Sequence, residues 1–122
     1  MSEVFTTSIL EGTTAIYSTT LVDEDSVAIG GAQVTVMTLT YYDVETNQIL
    51  NSRDEQNVLN TNNVTLSAGG VLEWLLQSGD TVIIDDRKEL ERHKALFTWL
   101  WGSDRIGRHE IEFDCENVLT VP

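Results

Sequence analysis

Cysteine, proline and histidine are almost absent from this sequence. Its 122 residues include one cysteine, Cys115, one proline, Pro122, and two histidines. A single cysteine forms no intramolecular disulfide, so the chain does not require an oxidising compartment, and synthesis in a cytoplasm is expected. Because the only proline is the last residue and no low-complexity tract occurs, we expect one domain over residues 13–122. Residues 1–12 are expected to be an N-terminal arm or flexible lead-in.

Basic residues are also scarce. Lys and Arg number 7 against 20 Asp and Glu, a net charge of -13, and residues 1–52 contain no Lys or Arg. Nucleic-acid phosphates are bound by clustered Lys and Arg, so direct nucleic-acid binding is not expected. No basic start followed by an apolar run is present, and no run approaches the roughly 20 apolar residues that span a bilayer. Neither an export signal nor a membrane anchor is therefore expected.

The sequence does contain a series of short runs rich in β-branched and aromatic residues. Clusters of Gly, Asn, Asp and Ser separate them at fairly even spacing, which predicts an all-β fold, a β-sandwich of about seven to eight strands. Asp86 and Glu89 have capping-box spacing, so at most one short helical turn is expected near residues 85–92. The Thr-rich run 13–23 is expected to be the first strand of the sandwich. In the alternative, residues 1–20 extend and add a strand to a neighbouring subunit.

The clearest pattern is a C-terminal hairpin over residues 92–118. Apolar and charged residues alternate in both halves, and this period of two is that of a strand with one buried face. The predicted inward residues are His93, Ala95, Phe97, Trp99, Trp101, His109, Ile111, Phe113 and Cys115. With residues 102–107 as the connecting loop, Lys94 is expected opposite Asp114 or Glu116, so that opposite charges meet across the strands.

The residues that catalysis would need lie on the predicted buried face of this hairpin. A catalytic Ser or Cys would need His93 or His109 as its base, and both histidines lie on this face together with Cys115, so we expect core packing, no catalytic residues and no enzyme. One cysteine and two histidines are too few for a structural zinc site, and no phosphate-binding loop follows the paired glycines. No metal or cofactor is therefore expected, although calcium held by acidic loops from distant parts of the fold stays an alternative.

Contact residues are expected on the exposed parts of the hairpin instead. Trp101 lies next to the loop and is the tryptophan most expected to be exposed, and Arg105 in the predicted loop is a further candidate contact residue. The outward-facing acids form a row that we interpret as a solvated face and a candidate contact surface. They are Glu110, Glu112, Asp114 and Glu116.

Three stretches resemble small immunoglobulin-like proteins encoded by tailed bacteriophages and prophages. They are LTYYDVETNQILNSRD (39–54), ALFTWLWG (95–102) and RIGRHEIEFDCENV (105–118), and the similarity covers residues 33–121. The resemblance implies a single immunoglobulin-like antiparallel β-sandwich. It also implies a noncatalytic virion structural protein, a head-decoration or head-tail, neck or tail accessory subunit, made in the host cytoplasm. Its partners would be capsid, neck or tail proteins in a multi-copy symmetric assembly. The alternative is a carbohydrate-binding or adhesive module that uses Trp101.

Overall fold

The computed structural model describes residues 2–4, 9–23, 25–84, 87, 89–102 and 105–116, with residues 2–4 described as backbone only. These residues form nine strands and two short 3-10 turns, with no α-helix among them, so the all-β prediction is confirmed. No helix of the described chain is long and apolar enough to cross a membrane. The predicted helical turn near 85–92 falls partly on residues outside the described set, and the chain is a strand from Leu90 onward. The strands are β1 (Ser2–Val4), β2 (Ile9–Leu10), β3 (Ala15–Thr20), β4 (Val34–Asp43), β5 (Gln56–Asn57), β6 (Val64–Leu66), β7 (Val71–Leu76), β8 (Leu90–Trp101) and β9 (Arg105–Glu116), and the turns are Gly31–Gln33 and Ser78–Asp80.

The larger sheet mixes parallel and antiparallel strands. Its order is β1-β9-β8-β4-β5, and β2 also pairs with β9. Strands β4, β8 and β9 form a long antiparallel centre, whereas β1 and β2 run parallel to β9. The sheet differs at this edge from the antiparallel arrangement that was predicted. The reason is that β2 and β9 lie far apart in the chain, so no tight turn forces them to be antiparallel.

The smaller sheet has the order β3-β7-β6 and is antiparallel. Strand β3 pairs with β7 over its whole length, from Ala15 opposite Leu76 to Thr20 opposite Val71. The prediction that the Thr-rich run forms a strand of its own sandwich is therefore confirmed for residues 15–20, but it is not the first strand, since β1 and β2 precede it and pair with β9. The alternative, in which these residues reach to a neighbouring subunit, is wrong.

Aromatic side chains pack the two sheets face to face. Trp74 of the smaller sheet contacts Tyr41, Phe97 and Phe113 of the larger sheet, with ring centroids 5.2, 5.7 and 6.4 Å apart. All four side chains are completely buried. Burying one such ring stabilises a fold by about 1.5–3 kcal/mol, so this cluster forms the centre of the core.

The C-terminal hairpin consists of β8 and β9, and its two faces are as predicted. Burial alternates along residues 91–99 and again along residues 109–115, with the odd-numbered side chains buried. Both histidines and the cysteine therefore lie inside. Trp101, at the end of β8, is only partly buried, whereas the other two tryptophans are almost fully enclosed.

The predicted register of the hairpin is wrong by two residues, or by four for the alternative with Glu116. Lys94 lies opposite Glu112 rather than opposite Asp114 or Glu116. Residues 105–107 belong to β9 and pair with the end of β8, although the sequence predicts them as part of the loop. A shorter loop moves every cross-strand partner, and because the shift is an even number of residues it leaves both faces unchanged.

Candidate functional site

The predicted acidic row lies on the outward face of β9, where bases of β8 face it. Arg92 contacts Asp114 at 2.9 Å and Glu112 at 3.5 Å, and Lys94 contacts Glu112 at 3.1 Å and Glu110 at 3.7 Å. Hydrogen bonding to Asp114 raises the pKa of Arg92, and hydrogen bonding to Glu112 raises that of Lys94. Glu116 ends the row and is exposed. Solvated pairs of this kind contribute only about 0.2–1 kcal/mol each to stability. Because only Arg92 and Lys94 face the four acids, the charge of the row is partly neutralised.

Trp101 and Arg105 form a separate group at the loop end of the hairpin. They are cross-strand partners, and the guanidinium carbon of Arg105 lies 4.9 Å from the centroid of the Trp101 ring. A cation at this distance is attracted by the negative face of the indole. The structure therefore brings these two predicted residues together but keeps them apart from the acidic row.

An open cleft of about 290 Å³ lies beside Trp101, between the hairpin and the segment that follows β3. On one side it is lined by residues 20–23 and Ile29, and on the other by Trp99, Trp101 and residues 106–109. Its lining therefore mixes aromatic rings with charged side chains of both signs. Ligand pockets commonly combine an apolar wall with a few polar groups, and this cleft has that character.

A buried polar network lies on the inward face of β4, β8 and β9. The Tyr41 hydroxyl donates to the backbone carbonyl of Asp80 at 2.5 Å. Its only proton is then committed, so its oxygen accepts from Nδ1 of His93, which lies 3.1 Å away. Nε2 of His93 lies 2.7 Å from Oε1 of Glu91. The hydrogen bonds therefore form a continuous chain from the Asp80 carbonyl through Tyr41 and His93 to the Glu91 carboxylate.

Cys115 lies beside this network, and its thiol is expected to be unreactive. Its Sγ is 3.4 Å from Nδ1 of His93, and the residue has no exposed surface. Burial, followed by the nearby charge of Glu91, raises the pKa of the Cys115 thiol to about 12. Burial also raises the pKa of Tyr41 above its usual range. Both groups are therefore protonated at neutral pH, and a thiol that stays protonated is a poor nucleophile.

Two acids that were not predicted as site residues share this interior. Asp43 and Glu91 are buried, together with His93. A signal for them was present, because Asp43 has the same parity as the buried Leu39 and Tyr41 of its strand, and Glu91 has the parity of His93. An acid in phase with the buried face of a strand is the pattern that marks such residues.

Comparison with known proteins adds no relative. No family model, no curated protein and no solved structure matches this chain.

Proposed function

We propose that this protein is a noncatalytic structural subunit that acts through protein-protein contacts. In keeping with its resemblance, we propose that it belongs to a tailed-phage particle, as a head-decoration or a head-tail, neck or tail accessory subunit. The observation that supports the contact role best is the outer face of the smaller sheet, which exposes three aliphatic side chains. Its side chains point away from the core and have no counterpart on a second layer among the described residues.

Three aliphatic side chains define this outer face. Ile16 of β3 lies directly opposite Leu75 of β7, and they are 62% and 40% exposed. Val71, at the other end of β7, is 40% exposed. The three strands of this sheet contain a single charged residue, Glu73, although the whole chain is strongly charged. Glu73 lies between Val71 and Leu75 on the same face of β7, so the exposed apolar surface centres on the Ile16–Leu75 pair. An exposed aliphatic pair of this kind favours a protein partner.

The position of β3 supports the same proposal. It is an edge strand of the described sheet, and none of its six residues is charged. Natural edge strands are usually protected by charges or proline, because an unprotected edge pairs readily with another strand. An uncharged edge beside the exposed Ile16–Leu75 pair suits a subunit that docks against a neighbour.

The test is incorporation into particles. Purified virions of the phage that encodes the chain should contain it in many copies by quantitative mass spectrometry. Substituting Ile16→Lys and Leu75→Lys together should lower that copy number about tenfold or more, because a buried charge weakens the contact. Val27→Lys, which alters an equally exposed aliphatic residue in a loop, should leave incorporation unchanged. Virions that contain none of the chain would contradict the proposal.

The cleft favours one second candidate, a carbohydrate-binding or adhesive module. Trp101 offers an aromatic face of the kind on which sugar rings stack, and Asp23 and Arg108 in the same cleft supply polar groups. A glycan array should then give a bound sugar whose binding changes tryptophan fluorescence and is lost in Trp101→Ala. Leu100→Ala is the matched control, since Leu100 is the adjacent residue on the opposite face of β8. An array without binding would remove this candidate.

A further inference from the structure

Three potential metal ligands meet on the buried face of the larger sheet. Asp43 ends β4 and lies directly opposite His93 of β8, and Glu91 precedes His93 by two residues on the same face. One ligand atom from each residue lies within 4.8 Å of the other two. The exposed fractions of Asp43, Glu91 and His93 are 1%, 3% and 0%. Two carboxylates and one imidazole are therefore gathered at a single point inside the protein.

The carboxylate of Asp43 supplies an independent indication of a ligand. Its Oδ2 accepts from the backbone N–H of Thr46 at 3.0 Å and from the Thr46 hydroxyl at 2.8 Å. Its Oδ1 is buried and has no hydrogen-bond partner among the described residues. An unpartnered buried carboxylate oxygen is costly and rare in native proteins. The Thr46 hydrogen bonds fix the carboxylate while leaving this oxygen available to an ion.

His93 is held in the orientation that a metal-binding histidine requires. Its Nδ1 faces the Tyr41 hydroxyl at 3.1 Å, which leaves Nε2 as the nitrogen directed at the carboxylate of Glu91. Glu91 is itself positioned by the backbone N–H of Ile84, 2.9 Å from Oε1. In metalloproteins the second ring nitrogen of a ligating histidine is usually hydrogen-bonded in this way, which sets the ring orientation.

We propose that Asp43, Glu91 and His93 bind a divalent transition-metal ion of the Zn²⁺ or Mn²⁺ class, which fastens the end of β4 to the start of β8. An imidazole nitrogen with two carboxylate oxygens suits these ions better than Ca²⁺ or Mg²⁺, which prefer oxygen alone. The ion takes the place of the proton between Nε2 and Oε1, so binding releases a proton. The separation of these two atoms then widens from 2.7 Å to the roughly 3.3 Å expected for ligands of a tetrahedral ion.

Direct titration of the full chain tests this site. Protein stripped with a chelator should bind one Zn²⁺ per chain by isothermal titration calorimetry, with proton release shown by buffers of different ionisation enthalpy. Zn²⁺ should raise the Tm, whereas Ca²⁺ and Mg²⁺ should not. Co²⁺ should give visible absorption bands without a thiolate charge-transfer band, because Cys115 faces the other ring nitrogen of His93. A wild-type chain that binds neither Zn²⁺, Mn²⁺ nor Co²⁺ stoichiometrically overturns the proposal, even if variants fail to fold.

Substitutions of the proposed ligands test whether the ion binds at these residues. Asp43→Asn and Glu91→Gln should each weaken Zn²⁺ binding by more than the roughly 10–100-fold that loss of an outer-shell partner costs. Asp114→Asn is the matched control, since it removes a carboxylate on the outward face of β9 and should bind Zn²⁺ as the wild type does. Equal loss of binding in Asp114→Asn and Asp43→Asn would place the metal on the acidic surface and contradict the site.

Discussion

Arg53 and Asp80 form a bidentate ion pair inside the protein. Nε of Arg53 lies 2.7 Å from Oδ1 of Asp80, its second guanidinium nitrogen lies 3.1 Å from Oδ2, and both residues are buried. Asp80 also accepts from the side chain of Asn51 and from the backbone N–H of Gln77. Arg53 donates further to the side chain of Gln56. The pair therefore joins the irregular segment after β4 to the 3-10 turn after β7.

Removing the base from this pair should be strongly destabilising. Arg53→Met leaves the Asp80 carboxylate buried without its counter-charge, and breaking a buried pair in this way costs about 3–5 kcal/mol. Arg92→Met removes an exposed partner of Asp114 and should cost no more than about 1 kcal/mol. Urea denaturation followed by circular dichroism measures both values. If the two variants lose the same free energy of unfolding, the Arg53–Asp80 pair does not have the role that its burial indicates.

Gly107 should tolerate no side chain. A methyl group placed there would lie 2.5 Å from Nε1 of Trp99, because the indole packs directly on the glycine. Gly107→Ala therefore forces the Trp99 ring to move, which should cost about 1–3 kcal/mol and change its fluorescence. The same substitution at Gly69 meets only the Ser67 hydroxyl, at 3.8 Å, and should leave stability within about 0.5 kcal/mol of the wild type. Equal Tm values for the two variants would contradict this packing.

The hairpin shows which parts of this fold the sequence could predict. Its buried and exposed faces follow from alternation, since a period of two leaves only two choices of face and the aromatic residues decide between them. Its register was not predictable in the same way. Gly107 resembles a loop residue, but it lies in β9 because Trp99 occupies the space above it. That requirement comes from packing between strands and has no local signal.

The buried polar groups were harder still to predict. Arg53 and Asp80 are 27 residues apart in irregular segments, where no periodicity shows which side chains turn inward. Their residue types also predict exposure, because Arg and Asp are almost never buried unless they are paired. Whether two such residues pair can be seen only in the three-dimensional structure. Asp43 and Glu91 occupy positions whose side chains alternate toward the interior, so their burial could be predicted from the sequence. Their proximity to His93 could not, because it depends on how the strands pair.

Because the Cys115 thiol is buried, we predict that the free energy of unfolding falls at alkaline pH. Burial raises the pKa of its thiol from 9.0 to about 12 in the folded protein. Between these two values the unfolded chain loses the thiol proton while the folded chain keeps it, so the folded state binds more protons and the free energy of unfolding falls as pH rises. The limiting slope for one such group is about 1.4 kcal/mol per pH unit. Tyr41, whose pKa burial also raises, acts in the same direction above pH 10.

The variant Cys115→Ala tests how much the thiol contributes to this pH dependence. Urea denaturation at pH 8, 9, 10 and 11 should show a steeper loss of stability for the wild type than for the variant, because only the wild type gains a proton difference from the thiol. Tyr41 is present in both proteins, but Cys115 also helps to raise its pKa, so the difference between the two pH profiles includes a smaller part that acts through Tyr41. A native-state thiol reagent should modify Cys115 only at the rate of unfolding, since the side chain has no exposed surface. Parallel pH profiles together with rapid native labelling would show that the thiol is neither buried nor raised in pKa.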